Sequence, residues 1–283
     1  SILLSVNCKG RISSDFGVFE VDELNLPLLL EKLPPDFLIL TNLSRDQLDR
    51  YGEIEIILHS WKESILKLDR TILLVPQGFA SQDLTDFSDI TNSYKGRILE
   101  YSDSFDYLAF THLLGRFNAL NVNSCVLACR ELGLSESQLK SALSSFSPAF
   151  GRGESILAFG KEFLVFLAKN PASFNNNLSI LCEDLEGFLT SNSNPFALLF
   201  VLNDAIPDGR DVSWIYDIDA DLLRRVCLDK PVFVSGTRSL DMQIRLSYAG
   251  IFSQEIKFPT RNFLDFFGRS NFWESIPQQK IIV

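Results

Sequence analysis

The sequence predicts an α/β fold, and three features indicate it. Short apolar runs of strand length alternate along the chain with segments in which apolar residues recur at helical spacing. The run at residues 196–202 contains no alternation of polar and apolar residues, which is typical of a strand covered on both faces by helices. The chain has 283 residues, of which 46% are hydrophobic, so it is long enough for about two domains with separate cores.

Seven apolar runs are predicted strands, and three longer segments are predicted helices. The strands cover residues 2–6, 16–21, 37–40, 71–75, 163–167, 196–202 and 232–234. The helices cover residues 53–68, 113–132 and 238–248. Ser135 and Gln138 match a capping box, which predicts a further helix to about residue 146. Residues 77–95 are polar and predict a surface excursion, and residues 280–283 resemble another strand.

The middle of the chain predicts a domain boundary. Pro148, Gly151 and Gly153 interrupt the helical pattern, because proline and glycine are the residues that most often end regular elements. We therefore expect residues 1–148 to form one domain and residues 149–283 to form a second. The chain opens without methionine in an apolar run and stops inside a strand-like segment, so we expect it to be a fragment.

The charge balance argues against two classes of partner. The 26 basic and 36 acidic residues give a net charge of -10, which disfavours binding to nucleic acid or to an anionic membrane through bulk charge. No apolar run approaches the ~20 residues of a membrane span, and no signal peptide is visible. The sequence therefore predicts a cytoplasmic protein without an integral membrane segment.

Cysteine and histidine are too sparse for several kinds of site. The five cysteines form no CxxC pair, so neither a zinc ribbon nor a dithiol redox motif is indicated. Cys125 and Cys129 are one helical turn apart, and two thiols without histidine partners are most often packing residues. With two histidines in the chain, we expect no complete hydrolytic triad within it.

A polar turn follows the buried run at residues 196–202. In open α/β sheets the loops beyond the carboxyl ends of strands are where ligands and partners bind. The alternative is local structure: aspartate, asparagine and glycine are common turn formers, and Asp211 could cap a helix. The turn formers concerned are Asn203, Asp204, Asp208 and Gly209.

Carboxylates near the start of the chain suggest a metal site. Glu20 and its acidic neighbours end one apolar run, and residues 41–52 follow the next. Because parallel strands bring their ends to one edge, hard carboxylate oxygens there would suit Mg²⁺ bound with a nucleotide phosphate. The alternative is an exposed helix start in which Asp46, Asp49 and Arg50 pair with one another.

Three further segments suggest nucleotide binding. Asn118 and Asn121 are three residues apart on one helix face, where their amides could read a purine edge or serve as helix caps. Arg152 lies at the predicted domain boundary, where a guanidinium group could reach a phosphate. Lys169 lies just before a helix that Pro171 begins, so a cation and a helix amino terminus come together.

Seven segments, in one order along nearly the whole chain, resemble the Mur ligase family. RDQLDRYGE, AKNP and DGRDVSW favour the branch that supplies the ligase-like subunit of lipid II isoglutaminyl synthase over amino-acid-adding members. The segments are VFEVDE at 18–23, TNLSRDQLDRYGE at 41–53, GRFNALN at 115–121, GRGE at 151–154, LAKNPASFN at 167–175, NDAIPDGRDVSWIYD at 203–217 and SGTRSLDMQIRLSYAG at 235–250.

The resemblance implies a fold and a reaction. It implies an incomplete central, ATP-binding domain followed by a Rossmann-like C-terminal domain. ATP would activate the α-carboxylate of D-glutamate in the lipid II stem peptide, and ammonia would convert it to D-isoglutamine during peptidoglycan synthesis. The ammonia would come from a GatD-type glutaminase subunit, and the reaction would occur at the inner face of the cytoplasmic membrane.

The resemblance also assigns roles to residues. Asp211 would complete the glutaminase's Cys and His as the catalytic acid, a role that a carboxylate held by a tight turn can perform by orienting the imidazole. Glu20 would bind Mg²⁺, Asn118 and Asn121 would bind the adenine side, and Arg152 and Lys169 would contact the nucleotide. Gln47 replaces a metal-binding histidine of amino-acid-adding relatives and is not assigned as a ligand. The docking surface would comprise Asn203, Asp208, Gly209, Arg210, Ser213 and Trp214, with Trp214 as an anchor.

Two departures from the family leave alternatives open. Residues 8–11 (CKGR) lack the glycine spacing and the Ser or Thr of a TNGKTT-type phosphate loop, so we expect this chain alone to be inactive with ATP. The cysteine-rich zinc insertion of many members is missing, so we expect no structural zinc. One alternative is a non-catalytic protein that completes a glutaminase. Another is an amino-acid-adding Mur ligase, which the AKNP and DGRDVSW segments disfavour.

Overall fold

The fold is described from a computed structural model of the chain. The structure describes residues 14–41, 54–78, 85–148, 151–183, 196–205, 210–256, 276–278 and 280–283. Parallel strands alternate with helices over these ranges, so the predicted α/β class is confirmed. No helix within them is long and apolar enough to cross a membrane. The strand predicted at residues 2–6 lies outside the described residues.

The first half of the chain forms a small parallel sheet. Its strands run in the order β1-β2-β3. They are β1 (Phe37–Ile39), β2 (Ile72–Pro76) and β3 (Ile98–Tyr101). Tyr101 donates its hydroxyl to the Leu40 carbonyl oxygen at 2.7 Å, and burial raises the pKa of this phenol. The bond ties the end of β3 to the segment that follows β1.

Three helices accompany this sheet. They are α1 (Leu26–Lys32), α2 (Ile54–Ile65) and α3 (Thr85–Ser93). Leu58, Trp61 and Ile65 bury one face of α2, as the periodicity predicts, because residues three and four apart lie on the same side of a helix. The Trp61 indole N–H also donates to the Glu23 carbonyl oxygen at 2.8 Å. This bond fixes the chain just before α1.

Two more helices follow β3 and confirm the predicted start and stop signals. They are α4 (Arg116–Glu131) and α5 (Glu136–Ser144). Ser135 and Gln138 form the predicted capping box at the start of α5, and Gly133, with φ +87, follows the end of α4. The amide of buried Asn123 donates to the carbonyl oxygens of Ser102 at 2.7 Å and Ser104 at 2.9 Å. It thereby holds α4 against the loop after β3.

The second half forms a six-stranded sheet in the order β4-β5-β9-β6-β7-β8. The first pair is antiparallel and the other pairs are parallel. The strands are β4 (Arg152–Ala158), β5 (Lys161–Phe166), β6 (Phe196–Val201), β7 (Val232–Ser235), β8 (Gln254–Glu255) and β9 (Lys280–Ile282). The strand-like segment at 280–283 therefore lies in the middle of the sheet.

Helices cover this sheet, and its central strand β6 is buried on both faces. The helices are α6 (Pro171–Glu183), α7 (Ala220–Cys227) and α8 (Ser239–Tyr248). Leu198 packs in one core cluster with Leu223 and Leu246, while Ala197 and Leu199 pack in another. Because successive strand residues point to opposite faces, the two clusters lie on opposite sides of β6. This burial on both faces explains why polar and apolar residues do not alternate at residues 196–202.

Three expectations about local structure are wrong. Residues 16–21 form no strand, because a strand needs a paired neighbour and no described strand pairs with this segment. Residues 77–95 contain α3, in which Ile90 is fully buried, so they are not simply an excursion. Gly153 does not end the regular structure but lies in β4 at φ +78, where the pairing register shifts, as in a β-bulge.

Gly236 sets how closely the loop after β7 approaches the end of β6. It has φ +100, and an added Cβ would lie 2.2 Å from the Leu202 carbonyl oxygen and 2.9 Å from Asn203 Oδ1. A side chain here would be strained in its backbone and would also collide with a main-chain atom. Gly250, with φ +76, has nothing within 4 Å of the same added atom.

We expect Gly236→Ala to lower the free energy of unfolding by about 3 kcal/mol, from backbone strain plus the collision. Gly250→Ala, the matched control, should cost about 1 kcal/mol, because it meets strain alone. Urea unfolding followed by circular dichroism measures both. Equal losses in the two variants would show that the close approach to Leu202 is not a constraint.

Candidate functional site

The carboxyl edge of the second sheet gathers most of the predicted site residues. Strands β5 and β6 are each parallel to β9, which lies between them, and β7 is parallel to β6. The three strands therefore point the same way. Lys169 follows β5, Asn203 follows β6 and Thr237 follows β7. Strand β9 lies between β5 and β6. The edge therefore has two parts, one at the start of β4 and the end of β5 and the other beyond β6 and β7.

Hydrogen bonds join the segments that follow β6 and β7. Asn203 Oδ1 accepts from the Thr237 N–H at 3.1 Å. The Thr237 hydroxyl donates to Asp204 Oδ1 at 2.8 Å, and its oxygen accepts from the Asp204 N–H at 3.2 Å. The hydroxyl of Thr237, with the nearby charge of Arg238, holds the pKa of Asp204 below its ordinary value. Asn203 and Asp204 thus fix this edge and are not merely turn formers.

Arg238 forms the charged centre of this edge. Its Nε donates to Asp241 Oδ2 at 2.7 Å, and its Nη1 lies 3.6 Å from Asp204 Oδ2. Its main-chain N–H donates to the Leu202 carbonyl oxygen at 3.0 Å. These contacts hold the guanidinium group between two carboxylates, where it also acts on the charge of Asp211.

Asp211 is exposed at this edge and begins a short helix. Its Oδ1 accepts from the Ser213 N–H at 2.8 Å, and the 3-10 helix Ser213–Asp217 starts there. That N–H, followed by the Ser213 hydroxyl and the charge of Arg238, lowers the pKa of Asp211. The carboxylate is therefore ionised at neutral pH. Its local bond agrees with the helix-start alternative, and its exposure leaves it accessible from solvent.

A buried arginine of α8 holds the 3-10 helix through hydrogen bonds. Arg245 in α8 is only 5% exposed. Its Nε donates to the Ile215 carbonyl oxygen at 2.8 Å, and its Nη2 donates to that of Ile218. Burial lowers the pKa of Arg245, but an arginine keeps its charge in proteins. The sequence gives little sign of this role, because an arginine in an amphipathic helix is usually exposed.

The predicted docking residues differ in their surroundings. Arg210 and Ser213 are exposed, and Asn203 is half-buried. Trp214 is half-buried, and its ring centroid lies 6.0 Å from that of Phe174. It therefore packs inward against the core, and its role as an anchor stays a prediction. Asp208 and Gly209 lie outside the described residues.

Arg152 and Lys169 both lie at the other part of the edge. Arg152 begins β4 opposite Phe166 near the end of β5, and Lys169 follows β5 by a few residues. Asn170 Oδ1 accepts from the Ser173 N–H at 2.7 Å and so caps the first turn of α6. Two exposed cations beside a helix amino terminus suit a phosphate group, so these residues fit the nucleotide that the resemblance implies.

Asn118 and Asn121 lie near the start of α4. Asn118 Nδ2 donates to the Leu114 carbonyl oxygen at 2.8 Å, and Asn121 is half-buried. The N-cap of α4 is Gly115, and no side chain caps it, so neither asparagine serves as the predicted N-terminal cap. Gly115, just before α4, lies so close to Ile180 that an added Cβ would be 2.3 Å from its Cγ1. The start of α4 thus contacts α6, the helix that begins next to Lys169. Direct contact between the asparagines and the two cations is not seen.

Glu20 is exposed in a segment without regular structure. Its neighbour Asp22 accepts from the Asn25 N–H at 2.9 Å and so serves the turn before α1. Within the described ranges, no three His, Cys, Asp or Glu side chains are grouped to hold a metal ion. A single carboxylate fits an ion held mainly by nucleotide phosphates. Residues 42–53, the other half of the predicted metal site, lie outside the described residues.

A cleft of about 410 Å³ lies beside α4, and the sequence did not indicate it. Arg130, Tyr107 and Lys140 are among its lining residues, and none of the predicted site residues lines it. The hydrogen bond between Tyr107 and Glu136 raises the pKa of the phenol and lowers that of the carboxyl group. Cations and carboxylates both line the cleft, so its charge favours no particular class of ligand.

Comparison with known proteins finds a family model that covers most of this edge. Residues 167–266 match the family model described as MurT ligase C-terminal. The MurT subunit of the glutamine-hydrolysing lipid II isoglutaminyl synthase of Staphylococcus aureus (strain COL) is 29% identical, over 83% of this chain and 65% of that protein. The chain is similar to MurT over most of its length. The MurT subunit of Streptococcus pneumoniae is 22% identical, over 87% of this chain and 67% of its own length.

The similarity to MurT and the fold agree. The chain spans 65% of the length of the S. aureus MurT. Among solved structures, the MurF ligase of Thermotoga maritima in complex with ADP has a TM-score of 0.57 at 15% identity, covering 91% of this chain and 60% of that one. The predicted Mur-ligase-like fold is therefore confirmed. The MurT-type match contains Lys169, Asn203, Asp211 and Arg238, so most of the polar edge lies in the matched domain.

The titration of Asp211 tests the geometry of this edge. We expect its carboxyl group to titrate below the ordinary value of 3.8, because the Ser213 N–H and hydroxyl both stabilise the anion. Ser213→Ala should raise the pKa only partly, since the main-chain N–H remains. Carbon-detected NMR of the Asp211 carboxyl group measures both values. A wild-type pKa at or above 3.8 would contradict the assigned hydrogen bonds.

The lowered pKa of Asp211 determines how its contribution to the free energy of unfolding changes with pH. Ionised Asp211 favours the folded state above the pKa of the unfolded chain, and this contribution is lost as pH falls through the lowered folded-state pKa. The group is exposed, so the effect is screened and small. In Asp211→Asn, the pH dependence of unfolding should therefore change in this acidic window and stay unchanged near neutrality.

Proposed function

We propose that this chain is part of the ligase subunit of a glutamine-dependent amidotransferase in peptidoglycan synthesis. The reaction converts the D-glutamate of the lipid II stem peptide to D-isoglutamine, using ATP and ammonia from a GatD-type glutaminase. The observation that carries the proposal is the exposed, ionised Asp211 at the carboxyl edge of the MurT-type domain. The similarity to the MurT subunits of S. aureus and S. pneumoniae supports it, because both are named as subunits of lipid II isoglutaminyl synthase.

Asp211 acts in this proposal on the partner's histidine. A carboxylate that accepts from Nδ1–H of an imidazole holds one tautomer and stabilises the imidazolium ion that forms when the ring removes a thiol proton. Asp211 has the required charge, since its pKa is lowered, and the required access, since it is exposed. Its bond to Ser213 and the support from Arg245 beneath keep it in place. The glutaminase supplies the nucleophile, which this chain does not need to contain.

The other part of the edge binds the nucleotide in this proposal. Arg152 and Lys169 hold the phosphates together with the amino terminus of α6, and Asn118 and Asn121 contact the adenine. Glu20 provides an oxygen ligand for Mg²⁺. ATP supplies the phosphoryl group that turns the acceptor's carboxylate into an activated acyl group. Ammonia released by the glutaminase then replaces the phosphate.

The substrate sets the place of action in this proposal. Lipid II is held in the membrane by its lipid, so the complex would work at the inner face of the cytoplasmic membrane. The net charge of -10 disfavours attachment to anionic lipid through bulk charge. The protein would therefore reach the membrane by binding its substrate.

A second candidate function is a non-catalytic subunit that completes the glutaminase without using ATP. One observation favours it: Asn203, Asp204, Thr237 and Arg238 form a connected network beside Asp211, whereas Arg152 and Lys169 are exposed without such a network. Isothermal titration of the full-length gene product with ATP and Mg²⁺ discriminates the two. Saturable binding supports the ligase, and no binding at millimolar ATP supports the second candidate.

Replacement of one carboxylate tests the leading proposal. In the full-length complex, Asp211→Asn should lower glutamine hydrolysis by a factor on the order of 10⁴, because an amide cannot stabilise the imidazolium ion. The complex should still assemble, since the two side chains have the same shape. Glutamate release measures hydrolysis and light scattering measures assembly. Lipid II amidation under saturating ATP and glutamine is measured by mass spectrometry in parallel.

Asp229→Asn is the matched control. Asp229 is an exposed aspartate of the same domain with φ 56, a backbone conformation that asparagine tolerates well, so its replacement should leave hydrolysis unchanged. Hydrolysis that persists in Asp211→Asn would reject the shared acid. Failure of the wild-type complex to amidate lipid II would reject the whole function.

A further inference from the structure

The cleft beside α4 is a site that the proposed function leaves unused. Its volume of about 410 Å³ lies in the range of small-molecule sites. One face of α4 forms one side of the cleft, because the α4 residues that line it recur at helical spacing. These residues are Asn123, Val126, Leu127 and Arg130. None of the residues assigned to the nucleotide or to the glutaminase lines the cleft, so the inference drawn from it is independent of the proposed function.

Opposite charges reach the cleft from different elements of the fold. The cations Arg130 and Lys140 belong to the helices α4 and α5. The carboxylates Glu100 and Asp106 belong to β3 and to the loop that follows it. The net charge of these four groups selects no class of ligand, because the two signs balance. Their placement does select one, because a molecule that carries both charges can contact the helices and the strand side at once.

Hydrogen bonds hold Arg130 in a fixed position. Its Nε donates to Glu136 Oε1 at 2.8 Å, and its guanidinium carbon lies 5.1 Å from the centre of the Tyr107 ring. The Tyr107 hydroxyl donates to Glu136 Oε2 at 2.5 Å. The three side chains therefore fix one another. A guanidinium group that is already fixed binds a ligand carboxylate with a smaller loss of side-chain entropy.

Lys140 and Glu100 supply charges that the fold does not neutralise. The Lys140 ammonium group lies 4.9 Å from the centre of the Phe110 ring, and among the described residues no carboxylate forms an ion pair with it. Glu100 is exposed on β3, and its carboxylate likewise forms no ion pair within the part of the chain that the structure describes. A zwitterionic ligand needs these two groups, because its carboxylate requires a cation and its ammonium group requires an anion.

We propose that the cleft binds a small zwitterion, namely an α-amino acid with an apolar side chain. The ligand carboxylate contacts Lys140 and Arg130, and the ligand ammonium group contacts Glu100. A molecule with one charge would leave one of these contacts unmade. The ligand side chain packs against the apolar part of the lining, which consists of Phe110, Val126 and Leu127.

Three ligands that share one side chain test the two charges. L-leucine carries both charges, 3-methylbutylamine carries only the ammonium group, and 4-methylpentanoate carries only the carboxylate. Isothermal titration of the full-length gene product should give L-leucine a Kd on the order of 1 mM, because a ligand of few atoms makes few contacts. Each singly charged analogue should bind at least about tenfold more weakly, because it loses one charge-assisted contact. Glycine should bind at least about fivefold more weakly than L-leucine, because it buries no apolar side chain.

Two variants assign the charges to residues. Lys140→Gln should raise the Kd of L-leucine at least about fivefold without weakening 3-methylbutylamine, which has no carboxylate. Glu100→Gln should raise the Kd of L-leucine to a similar extent without weakening 4-methylpentanoate, which has no ammonium group. Both residues are exposed, so the Tm of each variant should stay close to wild type. Lys95→Gln is the matched control, because Lys95 is exposed just before β3 and does not line the cleft, and its Kd for L-leucine should change less than about twofold.

Four results would overturn the inference. The first is the absence of saturable binding of L-leucine below about 20 mM. The second is an equal Kd for L-leucine and either singly charged analogue, which would mean that the site does not bind both charges. The third is an equal Kd for L-leucine and glycine, which would exclude contact with the apolar lining. The fourth is an unchanged Kd for L-leucine in both variants, which would place the bound amino acid elsewhere. Because lipid II amidation does not enter this test, each of these results leaves the proposed function standing.

Discussion

The buried guanidinium group of Arg245 is the contact on which the proposed glutaminase site depends. It holds the carbonyl oxygens of Ile215 and Ile218 and so fixes the short helix that Asp211 begins. Without it, two buried carbonyl groups would lose charge-assisted hydrogen bonds, which are stronger than neutral ones. Because Arg245 lies in α8, the same contact fixes α8 relative to the helix that Asp211 begins. An internal bond thereby sets the geometry of an outer surface.

The carboxyl edge separates two kinds of charge. At the start of β4 and beyond the end of β5 it presents the cations Arg152 and Lys169, and beyond β6 and β7 it presents carboxylates gathered around Arg238. Strand β9 lies between the two parts. This arrangement suits two reactions that need opposite charge, namely phosphate binding and the stabilisation of an imidazolium ion. One sheet can therefore support both steps of the proposed amidation.

The sequence predicted what depends on local pattern and missed what depends on distant packing. The apolar run at 196–202 and the capping box at Ser135 were sufficient for β6 and α5, because burial on two faces and a cap leave direct marks in the sequence. The strand expected at 16–21 did not form, since apolar composition does not specify a pairing partner. Helix α3 was missed because the residues around the buried Ile90 are mostly polar. Arg245 was missed because its carbonyl partners are about 30 residues away.

The central claim is that the Asp211 carboxylate accepts a hydrogen bond from the histidine of another subunit. The most direct measurement is the distance between an Asp211 carboxylate oxygen and the nearest imidazole nitrogen in an experimental structure of the assembled complex. The account predicts a hydrogen bond of about 2.6–3.2 Å. An imidazole paired with an acid of its own chain, and an Asp211 open to solvent, would contradict it.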